Sequence, residues 1–469
     1  MTAEWGRISA GEIATAIQGA LMKGSGTTIF EGLSTDSRHI EAGCLFWALK
    51  GERYDGQDFA EQAVKGGAAG VVVGKQGVPP RVNGQKITVI GVPDTLKALG
   101  DLARWWRSHY PIPLAAVTGS AGKTTTKEMT AAILALKGET LKNRGNFNNL
   151  VGLPLTLLAL DKRHHAGVVE MGMNRPGEIG RLTEISDPDI GVITNVARAH
   201  IEGLGSLEAV AKAKVELVKK IGSRAQVILN GDDRLLMDTA SSFPRKSMTF
   251  GLGPGNDFTA HHVRNLGRQG ISFEIRHGRD RVPVTLQVPG AQNVLNALAA
   301  SAVAFCMNVS ADRIAEGLSR FTGMEGRFMV RALPGGACLV DDTYNANPFS
   351  LRAALDSLKG LAADGGRVII GLGEMLELGE ETIPAHVEAG AMVAETGAHY
   401  FVAMGEHARE MIRGALENGF PSDRAAVAKS HEDMAERIRA IMQEHDLVLL
   451  KGSRGTGLYK VARMLMREG

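Results

Sequence analysis

The sequence holds only three cysteines in 469 residues, Cys44, Cys306 and Cys338, scattered and each flanked by apolar residues. An odd, scattered set makes neither a disulfide framework nor a metal-ligand spacing, and all three are expected to be buried core thiols. An excess of charge is also lacking: 53 Lys plus Arg stand against 51 Asp plus Glu, a net charge of +2. No overall field draws such a chain to nucleic acid or an anionic membrane, so any anion must be met by local groups. There is no run of about 20 apolar residues, and the opening "MTAEWGRISAGEIATAI" has no basic segment leading into an apolar one. The expectation is a cytoplasmic monomer without nucleic-acid binding or membrane insertion. Internal repeats and low-complexity tracts are missing too, and the 58 glycines fall at the ends of apolar runs, as turn markers.

What is present is an alternation of short apolar runs and helical patterns, on a chain long enough for about three domains. Up to about residue 110 the runs "CLFWAL" and "AGVVVG" adjoin helical patterns such as "TLKALGDLARWWRSHY", after which Pro111 and Pro113 break the helix. From "LAAVTG" onward, "AGVVEMG", "DIGVITNV" and "AQVILNGDD" are glycine- or polar-bounded strands with helices between, which predicts a parallel sheet covered on both faces. A second break lies near "FTGMEGRFMV", and a further series follows: "ACLVDDTYN", "RVIIGLGEM", "HYFVAMGE", "AAVAKS" and "DLVLLKGSRG". The expected fold is α/β in three domains: 1–110, a central parallel-sheet unit over 111–325 with a phosphate-binding loop, and a Rossmann-like unit over 326–469. In open α/β sheets ligands bind at the carboxyl ends of the strands, where these runs carry their polar residues.

The stretch "VTGSAGKTTTKEM" misses the strict phosphate-loop pattern, because Val117 stands where the first glycine belongs. The chemistry survives the mismatch. Strand, tight turn over Gly119, Ser120, Ala121 and Gly122, then Lys123, Thr124 and Thr125 opening a helix would present backbone N–H groups, a mobile positive charge and a hydroxyl suited to Mg²⁺. Glu170 directly follows the apolar run "GVV" and is expected at a strand end beside this loop, where a carboxylate suits a hard cation. Taken alone, His200 after "NVARA" reads as a capping or core histidine, and Lys212 with Lys214 as the solvated face of a helix.

"TGSAGKTTT" resembles the variant loop of the Mur ligase family, ATP-dependent amide-forming enzymes of peptidoglycan synthesis in the cytoplasm, and of their folylpolyglutamate synthetase relatives. Six further segments are similar, in family order, to the members that act on D-alanyl-D-alanine: "GNFNNLVGLPLTLL", "VVEMGMNRPGEI", "AHIEGLGS", "DDTYNANPFS", "GLGEMLELGEETIPAH" and "VLLKGSRG". The D-N-P-R type of motif carried by the members that add the preceding residue is replaced by "DTYNANP". The resemblance implies ATP and Mg²⁺ as cofactors, with UDP-N-acetylmuramoyl-tripeptide and D-alanyl-D-alanine joined through an acyl phosphate.

By position it implies Thr124 and Glu170 on one metal and His200 with a carbamylated Lys214, in the setting Lys214-Val-Glu-Leu217, on another. Lys123, Lys214, His200 and Glu170 form the implied catalytic set. Asn293 matches the adenine-binding asparagine, Arg327 an arginine that reaches the γ-phosphate, and Asp342 the ribose-binding aspartate. Asn146, Asn148 and Asn149 match the segment that contacts the UDP-sugar peptide. Tyr344, Asn345 and Asn347 flank Asp342 on the substrate side, where a turn whose side chains bond their own backbone is the other reading. "STDSRHIEAGCLFWALKGERYDGQDF" resembles a first-domain uridine-nucleotide site and makes Ser34, Thr35, Ser37 and Arg38 candidates, with Arg38 equally readable as a surface residue. Two positions depart from the family: Ala121 where asparagine is common, and Tyr459 where an acidic residue is frequent.

Overall fold

The computed structural model describes residues 2–51, 54–74, 82, 86–199, 201–362 and 366–467. Its strands form three sheets that follow one another along the chain. In the first, Ile29–Ser34, Leu45–Trp47, Gly70–Gly74 and Thr88–Val92 run parallel, and Thr2–Ser9 and Ala20–Lys23 close the edges antiparallel.

The second sheet has nine strands and is parallel from Glu139–Lys142 through His164–Glu170, Leu114–Thr118, Ile190–Ile193, Gln226–Asn230 and Ser247–Gly251 to Phe258–Asn265. Leu114–Thr118 is buried along its whole length, as a strand covered by helices on both faces must be. The chain leaves it first toward one edge and later toward the other, so the crevice beyond its carboxyl end is a topological switch point. Beyond Phe258–Asn265 the sheet continues antiparallel through Ile271–His277 and Asp280–Leu286. The strands expected to form a parallel sheet do so, and this antiparallel extension is an addition to it. In "ISFEIRH" and "RVPVTL" alternate residues are buried, the period of strands with one solvated face, which needs no crossover helix. In the third sheet only Met329–Ala332 is antiparallel; Cys338–Asp342, Leu447–Lys451, Val368–Leu372, Tyr400–Met404 and Ala425–Ala428 are parallel.

The apolar cores divide unevenly. One cluster runs from Trp5, Leu99 and Trp106 into Leu153, Ile179 and Ile185, so the first and second sheets share a core. Helix Thr95–Ser108 packs so closely there that a Cβ on Gly100 would lie 2.6 Å from Ile185 Cδ1. The third sheet has separate clusters on its two faces, around Phe401 and around Val448. Cys44 and Cys338 are buried and unpaired, as expected of core thiols. Cys306 is also unpaired but half-buried, because it ends helix Gln292–Cys306, and burial raises its thiol to about 11.

Candidate active site

Strand Leu114–Thr118 delivers a turn with no room for side chains at its glycines. A Cβ on Gly119 (φ 149°) would lie 1.9 Å from Thr194 Oγ1, and one on Gly122 (φ 81°) 2.3 Å from Asn296 Oδ1. Only glycine fits both the space and the backbone. Helix Lys123–Leu134 starts without a side-chain cap, and its first hydrogen bond runs from Thr126 N–H to Gly122 O. The N–H groups of Gly122, Lys123, Thr124 and Thr125 therefore precede the ladder and are the ones suited to an anion. Ser120 and Ala121 are engaged otherwise. Their N–H groups donate to Asn195 O (3.0 Å) and Asn195 Oδ1 (2.8 Å), so Asn195 holds the turn in shape, and both residues still line the clefts described below.

Thr124 Oγ1 donates to Glu170 Oε2 at 2.8 Å and accepts from Arg327 Nη2 at 2.9 Å. Asn148 Nδ2 donates to Glu170 Oε1 at 2.8 Å. The backbone of Glu170 is fixed by Asn143, whose Oδ1 accepts from Glu170 N and whose Nδ2 donates to Glu170 O, both at 2.9 Å. The Asn143 carbonyl in turn accepts from Lys127 Nζ at 2.7 Å, and both residues are only 1 % exposed. A hydroxyl and a carboxylate converging in this way form a hard oxygen donor set that fits Mg²⁺.

Lys123 Nζ donates to Gly119 O at 2.7 Å. Burial pushes its ammonium pKa down, the Glu170 charge opposes that shift and the Arg327 charge adds to it. Helix Leu207–Lys220 turns Lys214 into the core and leaves Lys212 exposed. Burial, then the Lys123 charge, hold Lys214 well below the ordinary lysine range. His200 lies outside the described residues.

Two clefts meet at this loop. One, ≈ 370 Å³, is lined by Ser120, Ala121, Gly122, Thr125, Asn293, Arg327, Asp342, Asn345 and Asn347, with Phe250, Leu252, Leu295 and Phe349 as its apolar wall. The other, ≈ 520 Å³, is lined by the turn from Ser120 to Thr124, by Asn146, Asn148, Asn149, Glu170 and Arg327, and by Tyr344, Asn345 and Asn347. Arg327 belongs to both, with its guanidinium 4.0 Å over the Tyr344 ring and its Nε buried without a hydrogen-bond partner. A buried, unbonded guanidinium N–H is a donor suited to an anion. Asp342 accepts from Lys451 Nζ at 2.6 Å and from Phe328 N at 3.1 Å. Asn293 donates to Pro289 O at 2.7 Å and accepts from Asn296 Nδ2 at 3.3 Å.

Other candidates have local tasks. Asn347 caps helix Pro348–Ser357 through Ser350 N, and Asn345 Oδ1 accepts from the next backbone N–H. Ser34, Thr35, Ser37 and Arg38 line neither cleft. Ser34 Oγ donates to Asp36 O and His39 O, Ser37 donates to Gln62, and the exposed Arg38 forks onto Asp36, holding that carboxyl well below the usual carboxylate range. Asn195, Asn296, Asn143, Lys127 and Lys451 are additions that sequence reasoning missed. Only Asn296 carried a signal, sitting three residues after Asn293 on the same helix face.

The chain matches three family models in order: the "Mur ligase family, catalytic domain" over 29–107, the "Mur ligase middle domain" over 117–304 and the "Mur ligase, glutamate ligase domain" over 326–454. It is 35 % identical to the UDP-N-acetylmuramoyl-tripeptide--D-alanyl-D-alanine ligase of Escherichia coli, over 97 % of this chain and 98 % of that one. The Bacillus subtilis enzyme of the same name is also 35 % identical, over 94 % of each. Among solved structures, MurF from Acinetobacter baumannii superposes with a TM-score of 0.89 at 31 % identity, covering 99 % of this chain and 100 % of that one. MurF ligase from Thermotoga maritima in complex with ADP gives 0.82 at 28 %, covering 92 % and 96 %. With relatives matched along nearly their whole length and a family model on each sheet-bearing region, the chain belongs to the Mur ligase family.

Proposed function

We propose that the chain joins D-alanyl-D-alanine to UDP-N-acetylmuramoyl-tripeptide at the expense of ATP, giving UDP-N-acetylmuramoyl-pentapeptide, ADP and phosphate in cytoplasmic peptidoglycan synthesis. The observation that carries this reading is the meeting of the two clefts on one phosphate-loop helix. An apolar-walled cleft suits an adenine base, with Asn293 at the base and Asp342 at the ribose. The second cleft, rich in amides and carboxylates, suits a peptide carboxylate and an amine. A nucleotide lying in the first cleft would lead its phosphates over the amides of Gly122 to Thr125 into the second. Units 1–110, 111–325 and 326–469 then hold, respectively, the UDP end of the substrate, ATP, and the acceptor, in a chain that works as a monomer. Ser34, Thr35, Ser37 and Arg38 take the uridine diphosphate end, far from the reacting atoms of a long substrate.

The substrate carboxylate oxygen attacks the γ-phosphorus and ADP leaves. The dipeptide amine then adds to the acyl carbon, loses its proton, and phosphate departs from the tetrahedral intermediate. Both steps crowd anions, so the protein's part is positioning and charge neutralisation rather than nucleophilic attack. Lys123, the loop amides and the unbonded Nε of Arg327 face the transferring phosphoryl group, while Asn146, Asn148 and Asn149 orient the peptide. Thr124 and Glu170, and on the other side His200 with Lys214, would hold Mg²⁺, which when bound neutralises phosphate oxygens. A lysine whose ammonium is disfavoured by burial presents the neutral amine that carbamylation by CO₂ requires, with release of one proton. The test is ADP release by the purified chain with ATP and Mg²⁺, with and without each substrate. Release is expected only with UDP-N-acetylmuramoyl-tripeptide, and sustained turnover to the pentapeptide mass only with D-alanyl-D-alanine as well; turnover indifferent to both substrates would sink the reading.

A further inference from the structure

Strand Leu447–Lys451 is buried along its whole length and ends on a charge. Lys451 is only 2 % exposed, and a charge at that depth needs a partner. The register of the sheet supplies one. Lys451 stands opposite Asp342 on the adjacent parallel strand, and its Nζ donates to Asp342 Oδ2 at 2.6 Å and to Asn345 O at 3.1 Å. Lys451, Asp342 and Asn345 all line the apolar-walled cleft.

The other oxygen of Asp342 reaches the junction between the second and third units. Oδ1 accepts from Phe328 N at 3.1 Å. Phe328 has φ 54°, a left-handed backbone that a bulky residue keeps only where its surroundings impose it, and its ring is buried in the core around Phe401. Two residues on from Asp342, Tyr344 N donates to Gly326 O at 3.0 Å. These two bonds bracket Arg327, whose guanidinium lies over the Tyr344 ring and donates to Thr124 Oγ1 at the phosphate loop. Lys451 thus holds Asp342 and Asn345, their segment holds Gly326 and Phe328, and Arg327 projects from between them. An ionised carboxylate has about four acceptor sites, so Asp342 can keep both bonds and still accept from a hydroxyl in the cleft.

We propose that Lys451 is a positioning residue for both ends of the nucleotide, setting Asp342 toward the ribose hydroxyls and, through the 342–345 segment, Arg327 toward the γ-phosphate. This rests on the ligase reading, which puts the ribose at Asp342 and the γ-phosphate at Arg327. A lysine that only neutralised a buried carboxylate would matter to stability and to every nucleotide alike. One that orients the carboxylate matters to which nucleotide is recognised, and its loss is felt at the far end through Arg327.

The test reads the two ends separately. Equilibrium dialysis with ADP and 2′,3′-dideoxy-ADP reports on the ribose. Wild type should bind ADP about 10- to 100-fold more tightly than the dideoxy form, the range for a hydrogen bond to a charged group. Lys451→Met should weaken ADP by that factor and the dideoxy form by no more than about threefold, so that the preference disappears. Turnover at saturating substrates reports on the phosphate: Lys451→Met should lower kcat about tenfold or more in the wild type, but no more than about threefold in an Arg327→Met background, because both changes remove the same contact. Lys451→Gln, whose donor falls one bond short of Asp342 while keeping a polar group there, replaces the Met variant if thermal melts show that one unfolded, with the same two results expected. The inference is overturned if wild type does not prefer ADP, if the Lys451 variant weakens ADP and its dideoxy form equally, or if its kcat loss is undiminished in the Arg327→Met background. Failure of the ligase reading shows separately, as a wild type that prefers ADP but has no turnover dependent on UDP-N-acetylmuramoyl-tripeptide, and it would take the Arg327 half of the inference with it.

Discussion

The phosphate loop and the segment from Ser34 to Arg38 contain the same kinds of side chain, and the structure uses them in opposite ways. Around the loop, Thr124, Glu170, Asn143 and Lys127 bond across 16 to 46 residues of sequence and are all buried. Their bonds fix a donor set and leave an open side toward two clefts. In the first unit, Ser34, Asp36, Arg38 and His39 bond within five residues of one another, apart from Ser37 to Gln62. That satisfies the groups locally and shapes a turn. Long-range satisfaction produces a preorganised site, whereas local satisfaction produces a loop whose contacts must come from its outward surface.

The comparison breaks most visibly if the loop's charges are dispensable. Lys123→Ala and Lys214→Ala should each lower turnover by a factor of about 10² or more, with Lys212→Ala close to wild type. Steady-state rates beside thermal melts check this, since a variant that merely unfolds would not support a role at the phosphates. Asn143→Ala tests the long-range network itself. It removes bonds to Glu170 N, Glu170 O and Phe147 O, and at about 1 kcal/mol each a urea titration should show a loss of roughly 3 kcal/mol.

Arg38→Ala is the matched change on the other side. An exposed ion pair contributes about 0 to 1 kcal/mol to stability, so the urea midpoint should hardly move while the KM for the UDP-substrate rises about tenfold and that for ATP stays put, near 1.4 kcal/mol of binding. A stability loss as large as that of Asn143→Ala would erase the distinction between the two regions. His386 supplies the smallest effect. Its Nδ1 faces Thr382 O and its Nε2 accepts from Met375 N, so the ring is neutral, and burial lowers its pKa below the ordinary 6.5. The unfolded chain takes up a proton near that value and the folded one does not, so stability should decline as pH falls through about 6.5. His386→Gln should flatten that part of the pH profile.

How much was legible in the sequence follows the same division. The strand, turn and helix from Val117 to Thr124 could be read because the chemistry is contiguous, and Glu170 because a polar residue ending an apolar run marks a strand terminus. The grip of Asn195 on Ala121 spans 74 residues and that of Lys451 on Asp342 spans 109. No local pattern announces either. The antiparallel extension over 271–286 was there to be read in its alternation, but the series of parallel strands before it drew the reading toward a parallel sheet. Asn347 shows the reverse case, a residue matched for substrate whose side chain caps its own helix.

The division of the apolar cores has a thermal consequence. The first and second sheets share a greasy junction, whereas the third touches them mainly through polar groups: Arg327 on Thr124, Ser357 on Gln292, Lys359 O on Asn265, Glu377 O on Glu202. Water can replace such contacts almost one for one, so parting the third unit from the rest wets little hydrocarbon. Calorimetry of ligands that draw this seam shut should therefore record only a small drop in heat capacity, while prising the first unit from the second would register a large rise. The same chain thus carries one joint that water lubricates and another that water holds shut.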